Sequence, residues 1–327
     1  MKNKRIGLLI LLMMLLIYNM PSNAEVKQQV RFLGLGEASC RAIGMGEAFI
    51  AVSDDSSAVF WNPAGLSQIP SGKRYGEFMV KANLRNELSY DAMSFSGQSY
   101  ENDSDVDFTI GDFLENRMKT PKGEKKVNYN YAFGVIGVDG KDNYQNTNIM
   151  FAASKAVDAK FSNKQAKLAG GIKLRYSDYS NYIDNKQIKS FHETTLGIGA
   201  IYTYSDFLNI GLTVDNVFDD SPYEVPTIVS LGFAFKIDPT TTVAADGFNL
   251  VDAKSLDNTN QDDTEFRIGV EKSFLNDDLT LRFGSKNGNL NLGFEMRVTE
   301  NFNINYAYMG DYDSDVNQHF VGGKITF

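Results

Sequence analysis

From Lys73 onward, apolar and polar residues alternate in segments separated by turn-forming residues. In Leu290-Asn291-Leu292-Gly293-Phe294-Glu295-Met296-Arg297-Val298 the even-numbered residues are apolar and the odd-numbered ones are polar or glycine. Phe302, Ile304, Tyr306 and Tyr308 enclose Asn303, Asn305 and Ala307, and Leu279, Leu281 and Phe283 enclose Thr280 and Arg282. A period of two gives each segment one apolar face, the signature of a β-strand. The pattern predicts 14 strands, near 73–84, 87–97, 130–139, 146–157, 166–179, 189–203, 206–217, 226–237, 240–251, 264–275, 277–286, 288–298, 301–311 and 317–327.

The apolar faces carry Leu, Ile, Phe and Tyr, whereas the polar faces carry Gly199, Gly211, Gly232, Gly269, Gly284 and Gly322. Large apolar residues opposite small or polar ones fit a wall with lipid outside and a crowded lumen inside. The fold class predicted is therefore all-β, a transmembrane antiparallel barrel of an even number of strands. Leu292, Phe294 and Met296 are expected to face lipid and Asn291 the lumen, so that Asn291→Arg should be mild. Tyr204-Ser205, Asp238-Pro239, Asn276-Asp277 and Thr299-Glu300 read as tight turns at one rim. The acidic stretches 218–225, 252–263 and 312–316 read as longer loops at the other, where Asn287-Gly288 marks a two-residue hairpin. The polar stretch 98–129 breaks this alternation of loop lengths, and Val106 to Met118 within it reads as a short helix.

Two segments precede the strands. Lys2, Lys4 and Arg5, the apolar run Ile6 to Ile17 and Ser22-Asn23-Ala24 read as a cleavable signal peptide over 1–24. The apolar run is shorter than the ~20 residues of a spanning helix. Residues 25–72, rich in Gly, Ala and Ser, read as short helices and turns. Export and the barrel pattern place the chain in the bacterial outer membrane, in contact with its lipid.

Charge and chemistry narrow the function. Without the three basic residues of the signal, 29 basic face 41 acidic residues, which argues against nucleic acid. Cys40 is the single cysteine, so no internal disulfide forms. His192 and His319 lie far apart, and no nucleophile–base motif or metal-ligand spacing is present, so neither enzyme chemistry nor a cofactor is expected. Lys236, Asp215, Arg267, Glu271, Arg282, Glu295, Arg297 and Lys324 all fall on the polar faces. Two readings stay open for them: an ion-pair network within the lumen, or arginines such as Arg267, Arg282 and Arg297 receiving an anionic headgroup.

Residues 41–66, from Arg41-Ala42-Ile43-Gly44-Met45-Gly46-Glu47-Ala48-Phe49 through Asp54-Asp55 to Trp61-Asn62-Pro63-Ala64-Gly65-Leu66, resemble the N-terminal motif of the PorV/PorQ and UPF0164-type outer-membrane proteins, which group with the FadL-like barrels. The likeness continues in Gly211 to Val217, Arg267 to Glu271, Leu281 to Gly284 and the His319 to Phe327 ending, and Glu47 stands where Gly is common. The resemblance implies a 14-stranded barrel over 73–327 with residues 25–72 folded into the lumen as a mostly helical plug. It also implies one of two roles. One is passive entry of small hydrophobic molecules, with Asn62, Pro63, Ala64 and Gly65 near the periplasmic mouth as ligand-binding or gating residues. The other is a non-conducting partner of secretion-system proteins, as in type IX secretion.

Within the motif the residues suggest a helix over Arg41 to Val52 and a turn at Ser56 to Trp61. Asp54-Asp55 would cap that turn and Asn62-Pro63 would end it.

Overall fold

The computed structural model describes residues 38–81, 88–100, 127–140, 144–161, 164–183, 186–219, 227–251, 264–310 and 318–327. The expected signal peptide, residues 25–37, the helix at Val106 to Met118 and most of the acidic loops lie outside these residues.

The strands are β1 (Tyr75–Lys81), β2 (Leu88–Tyr100), β3 (Val127–Gly140), β4 (Tyr144–Phe161), β5 (Lys164–Ile183), β6 (Lys186–Tyr204) and β7 (Leu208–Asp219). They continue as β8 (Ile228–Asp238), β9 (Thr241–Phe248), β10 (Glu265–Phe274), β11 (Leu279–Lys286), β12 (Asn289–Thr299), β13 (Phe302–Met309) and β14 (Gln318–Thr326). Each pairs antiparallel with its neighbours in sequence, and β1 pairs with β14 from Tyr75↔Thr326 to Lys81↔Phe320, so the 14 strands close into a barrel. β3 to β6 extend beyond their expected ends; β5 runs for 20 residues. Asn287 and Gly288 have φ of 48° and 88°, the paired positive values of a tight hairpin.

Burial follows the sequence period with its sense inverted relative to a soluble sheet. On β11, Leu281 and Phe283 are 46% and 55% exposed, while Arg282 between them is 5% exposed. Leu292, Phe294 and Met296 are exposed as expected. Polar side chains face inward because closure hides them from lipid, where each unsatisfied polar group costs several kcal/mol.

Ahead of β1, residues 38–72 contain one α-helical turn, α1 (Cys40–Gly44), and two 3-10 turns, Ser56–Val59 and Pro63–Gln68. The longer helix expected to Val52 does not form. Gly46 and Glu47 take φ of 63° and 61°, which breaks the helical run. Asp55 caps Ser56–Val59 by accepting from the Ser57 amide, as expected. Asn62 is extended and caps Pro63–Gln68, so it opens a second turn as well as closing the stretch before it. This segment touches all 14 strands, which places it inside the ring. Ala42, Ile43, Met45, Phe49 and Leu66 are 0% exposed there.

Candidate functional site

The inner segment is tied to β9, β10 and β11 at three ionic or charge-assisted points. The first centres on Arg41. Its Nε and Nη2 donate to the two carboxylate oxygens of Glu271 at 2.8 and 2.9 Å. Its Nη1 donates to Asp54 and Asp55 at 2.5 and 2.9 Å. Glu271 lies opposite Arg282 across the β10–β11 ladder, and Arg282 donates to Glu271 and to Glu295, each at 2.8 Å. Asn303 completes the chain at Glu295. Burial works against the charge on Arg41, but Asp54, Glu271 and Asp55 hold it well above the usual arginine value. Burial likewise opposes ionisation of Asp55, yet Arg41, Lys324 and the Ser57 hydrogen bonds keep its carboxyl below the ordinary range.

The second point is Glu47. Lys286 Nζ donates to its Oε2 at 2.6 Å, and Arg267 approaches the same oxygen at 3.4 Å. Arg267 and Lys286 also share Glu265, at 2.5 and 3.4 Å. The Arg267 guanidinium lies over the Phe248 ring, 4.1 Å from its centroid. This explains the departure from the motif. A left-handed residue such as Glu47 normally prefers glycine, and here the carboxylate offsets the backbone cost by meeting two buried cations. The third point is Asp246 of β9, whose Oδ2 accepts from the Phe49 and Ile50 amides at 2.6 and 2.8 Å.

Asn62 adds a neutral tie. Its Nδ2 donates to the carbonyls of Ile50 and of Ala200 on β6, at 2.8 and 3.3 Å. Pro63 and Ala64 rest against Gly199 and Gly171. The four residues Asn62, Pro63, Ala64 and Gly65 thus form a wedge against β5 and β6, toward the ends of those strands that share a rim with Tyr75 and Phe327. Nearby, Lys173 pairs with Asp215 at 2.7 Å and donates to the Phe60 carbonyl at 3.1 Å. Arg175 meets Glu193 at 3.4 Å and Asn216 at 3.0 Å; Asn216 sits at a bulge of β7 with φ of 56°.

Of the arginines singled out from sequence, Arg267 and Arg282 lie in these networks. Arg297 does not: it is exposed at a strand end, paired with Asp278 of the β10–β11 turn at 3.1 Å. Lys236 is exposed at the end of β8 for the same reason. Alternation reports the face of a strand and not the depth, and at a rim the inner face opens to water. Arg41, Lys173, Arg175, Glu193 and Asp246 were missed. The signal for Arg41 was present, since an arginine followed by Asp54-Asp55 in a glycine-rich segment supplies both halves of an ion pair. Among the described residues no His, Cys, Asp and Glu grouping fit for a metal occurs.

The interior is divided by polarity. Met309, Phe320, Met79, Tyr90, Ile136 and Val138 form an apolar strip across β13, β14 and β1 to β3, continuous with Ile43, Phe49, Val59 and Phe60 of the inner segment. Asn146, Asn148, Ser177, Arg175, Glu193 and Thr213 are buried on β4 to β7.

The inner glycines set how closely segment and wall approach. A Cβ on Gly284 would lie 2.1 Å from the Gly46 nitrogen, whereas one on Gly137, on the outer face of β3 between the buried Ile136 and Val138, would meet nothing within 4 Å. Gly284→Ala is expected to cost about 1–3 kcal/mol, as overpacking does, and Gly137→Ala less than about 0.5 kcal/mol. Urea midpoints of the protein refolded in lipid vesicles check this; equal costs would contradict the close fit.

No protein-family profile and no curated protein matches the chain. Solved structures do. The toluene transporter TodX of Pseudomonas putida is 13% identical with a TM-score of 0.53, over 89% of this chain and 98% of that one. The CymD monoaromatic hydrocarbon channel is 12% identical with a TM-score of 0.54, over 90% and 97%. A Pseudomonas aeruginosa FadL homologue is 10% identical with a TM-score of 0.50, over 89% and 98%. At these identities the likeness is one of fold: this chain has the barrel fold of the FadL-type channels.

Proposed function

We propose that this protein is an outer-membrane barrel that admits small hydrophobic molecules by passive transport, with residues 38–72 as its internal gate. The observation that carries the reading is the apolar strip inside the ring. A lumen built to pass hydrated solutes is polar throughout. Here the strip from Met309 to Val138 and the apolar side of the inner segment form one cluster. Displacing the segment uncovers an apolar track, along which a hydrophobic solute loses little by leaving lipid. The ionic ties at Arg41, Glu47 and Asp246 lie on β9 to β11, whereas toward β2 and β4 the segment is held by neutral hydrogen bonds, Ser94 to Ser56, Gln98 to the Ile69 carbonyl and Ser67 with Ser154, which part at less cost.

The shared fold with hydrocarbon channels supports this reading, and the 41–66 motif supports the narrower PorV/PorQ type. No observation on the described residues favours the secretion-partner role.

The test is entry of N-phenyl-1-naphthylamine, whose fluorescence rises in lipid, into cells displaying the protein. Entry should exceed that of cells without it, with no ion conductance for the intact protein in planar bilayers. Deleting residues 38–60 should raise both, since every wall strand keeps its hydrogen-bonded neighbours. If neither the intact chain nor the deletion speeds entry, the transport reading fails and the secretion-partner role becomes the better one.

A further inference from the structure

A small cavity lies where α1 and the Ser56–Val59 turn meet β1, β2 and β13. Its volume is about 10 Å³, room for about one water or an ion of that size. Its polar lining is Glu77, Asn305, Ser39, Ser57 and Ser94, beside Cys40, and the rest, Phe60 and Met79 among it, is apolar. We propose that this cavity is a binding site for a monovalent, oxygen-preferring cation of sodium's size.

Two buried oxygens point to a missing partner. Glu77 Oε1 and Asn305 Oδ1 have no hydrogen-bond donor among the described residues, and Asn305 is 5% exposed. A buried acceptor left unpaired costs about 1–3 kcal/mol, more if charged. Two of the three hydroxyls around them have their protons committed elsewhere. Ser57 Oγ donates to Asp55 at 2.5 Å and Ser94 Oγ donates to Ser56 at 2.9 Å, while Ser39 Oγ accepts from the Arg41 amide at 3.2 Å and keeps its own proton available. The lining therefore offers acceptors and few donors, which suits a cation better than an anion.

Local charge points the same way. Asp54, Asp55, Glu271 and Glu295 are engaged with Arg41 and Arg282. Lys324 lies opposite Glu77 on the β1–β14 ladder, with its ammonium over the Tyr75 ring, 4.7 Å from the centroid. Five carboxylates thus face three cationic side chains, which leaves the cluster with an excess of negative charge. Buried negative charge in excess is costly unless paired or neutralised. One lining carboxylate is too few for calcium, which takes 6–8 oxygens, usually with several carboxylates.

The experiment uses the full mature chain in detergent, with thermal unfolding followed at fixed pH and ionic strength in sodium, potassium, calcium or choline chloride. Sodium should raise the midpoint by about 2–4 °C over choline, as a ligand bound only by the native state does. Calcium and potassium should do less. E77Q should abolish the sodium effect while unfolding in choline no earlier than the parent, and N305L should weaken it. Equal midpoints of the parent in sodium and choline would overturn the proposal, whatever the variants do. So would a parent that responds to acid but to no cation, because Glu77 would then be neutralised by a proton.

Discussion

Arg41→Ala is expected to lower the stability of the folded barrel by about 3–5 kcal/mol, the cost of stranding buried charges by removing one partner. Among the described residues, Arg41 is the only side chain of the inner segment that joins carboxylates of that segment, Asp54 and Asp55, to one of the wall, Glu271. Arg282 remains beside Glu271 in the variant, but Asp55, 1% exposed, loses its close guanidinium. Arg41→Lys should recover part of the loss, since it restores charge without the planar fork that serves Glu271 through two nitrogens. Arg297→Ala is the matched control. Its partner Asp278 is exposed, so the change should stay within about 0.5 kcal/mol. Urea midpoints in vesicles read all three, and a cost for Arg41→Ala no larger than for Arg297→Ala would show that the inner segment is not held by this network.

Leu292→Arg should cost about 2–4 kcal/mol if the site lies near the bilayer midplane, because Leu292 is 40% exposed on the outer face. The neighbouring Asn291→Arg would be mild if the lumen were open there. It is not: Asn291 is 0% exposed and its Nδ2 donates to the Ile43 carbonyl at 2.8 Å. Both substitutions are therefore destabilising, for different reasons, and the reasons separate in a chain lacking residues 38–60. There Asn291→Arg should become mild, with Leu292→Arg as costly as before. Persistent damage from Asn291→Arg in the shortened chain would mean that the wall itself excludes the larger side chain.

The barrel was legible because lipid outside and polar groups inside impose one rule on every strand, and period two repeats that rule from β1 to β14. Asn287-Gly288 was legible for a similar reason, since a two-residue hairpin has few solutions. The interior was less so. A pattern of faces marked Arg267 and Arg282 as inward but did the same for Arg297 and Lys236, which stand at rims. Whether an inward residue meets water or the inner segment depends on how that segment threads across the wall, and no local pattern carries that information. Glu47 shows the limit: in sequence it is a departure from a glycine-rich motif, and only its closeness to Lys286 and Arg267, more than 200 positions away, gives it a purpose.

The closing pair of strands bears on how the chain assembles. β1 and β14 join Tyr75 to Thr326, the two limits of the strand region, around a core that touches every strand. Contacts of such sequence separation form slowly, since most of the chain must be ordered before they are rewarded. A ring sealed first would leave the core to thread in through a rim, past Gly284 and Gly269 where the clearance admits no side chain. The order that avoids this wraps the wall around a core already in place. Bulkier side chains in residues 38–72 would then appear first as poor yield of inserted barrel, whereas a chain lacking residues 38–60 has no core to enclose and closes without one.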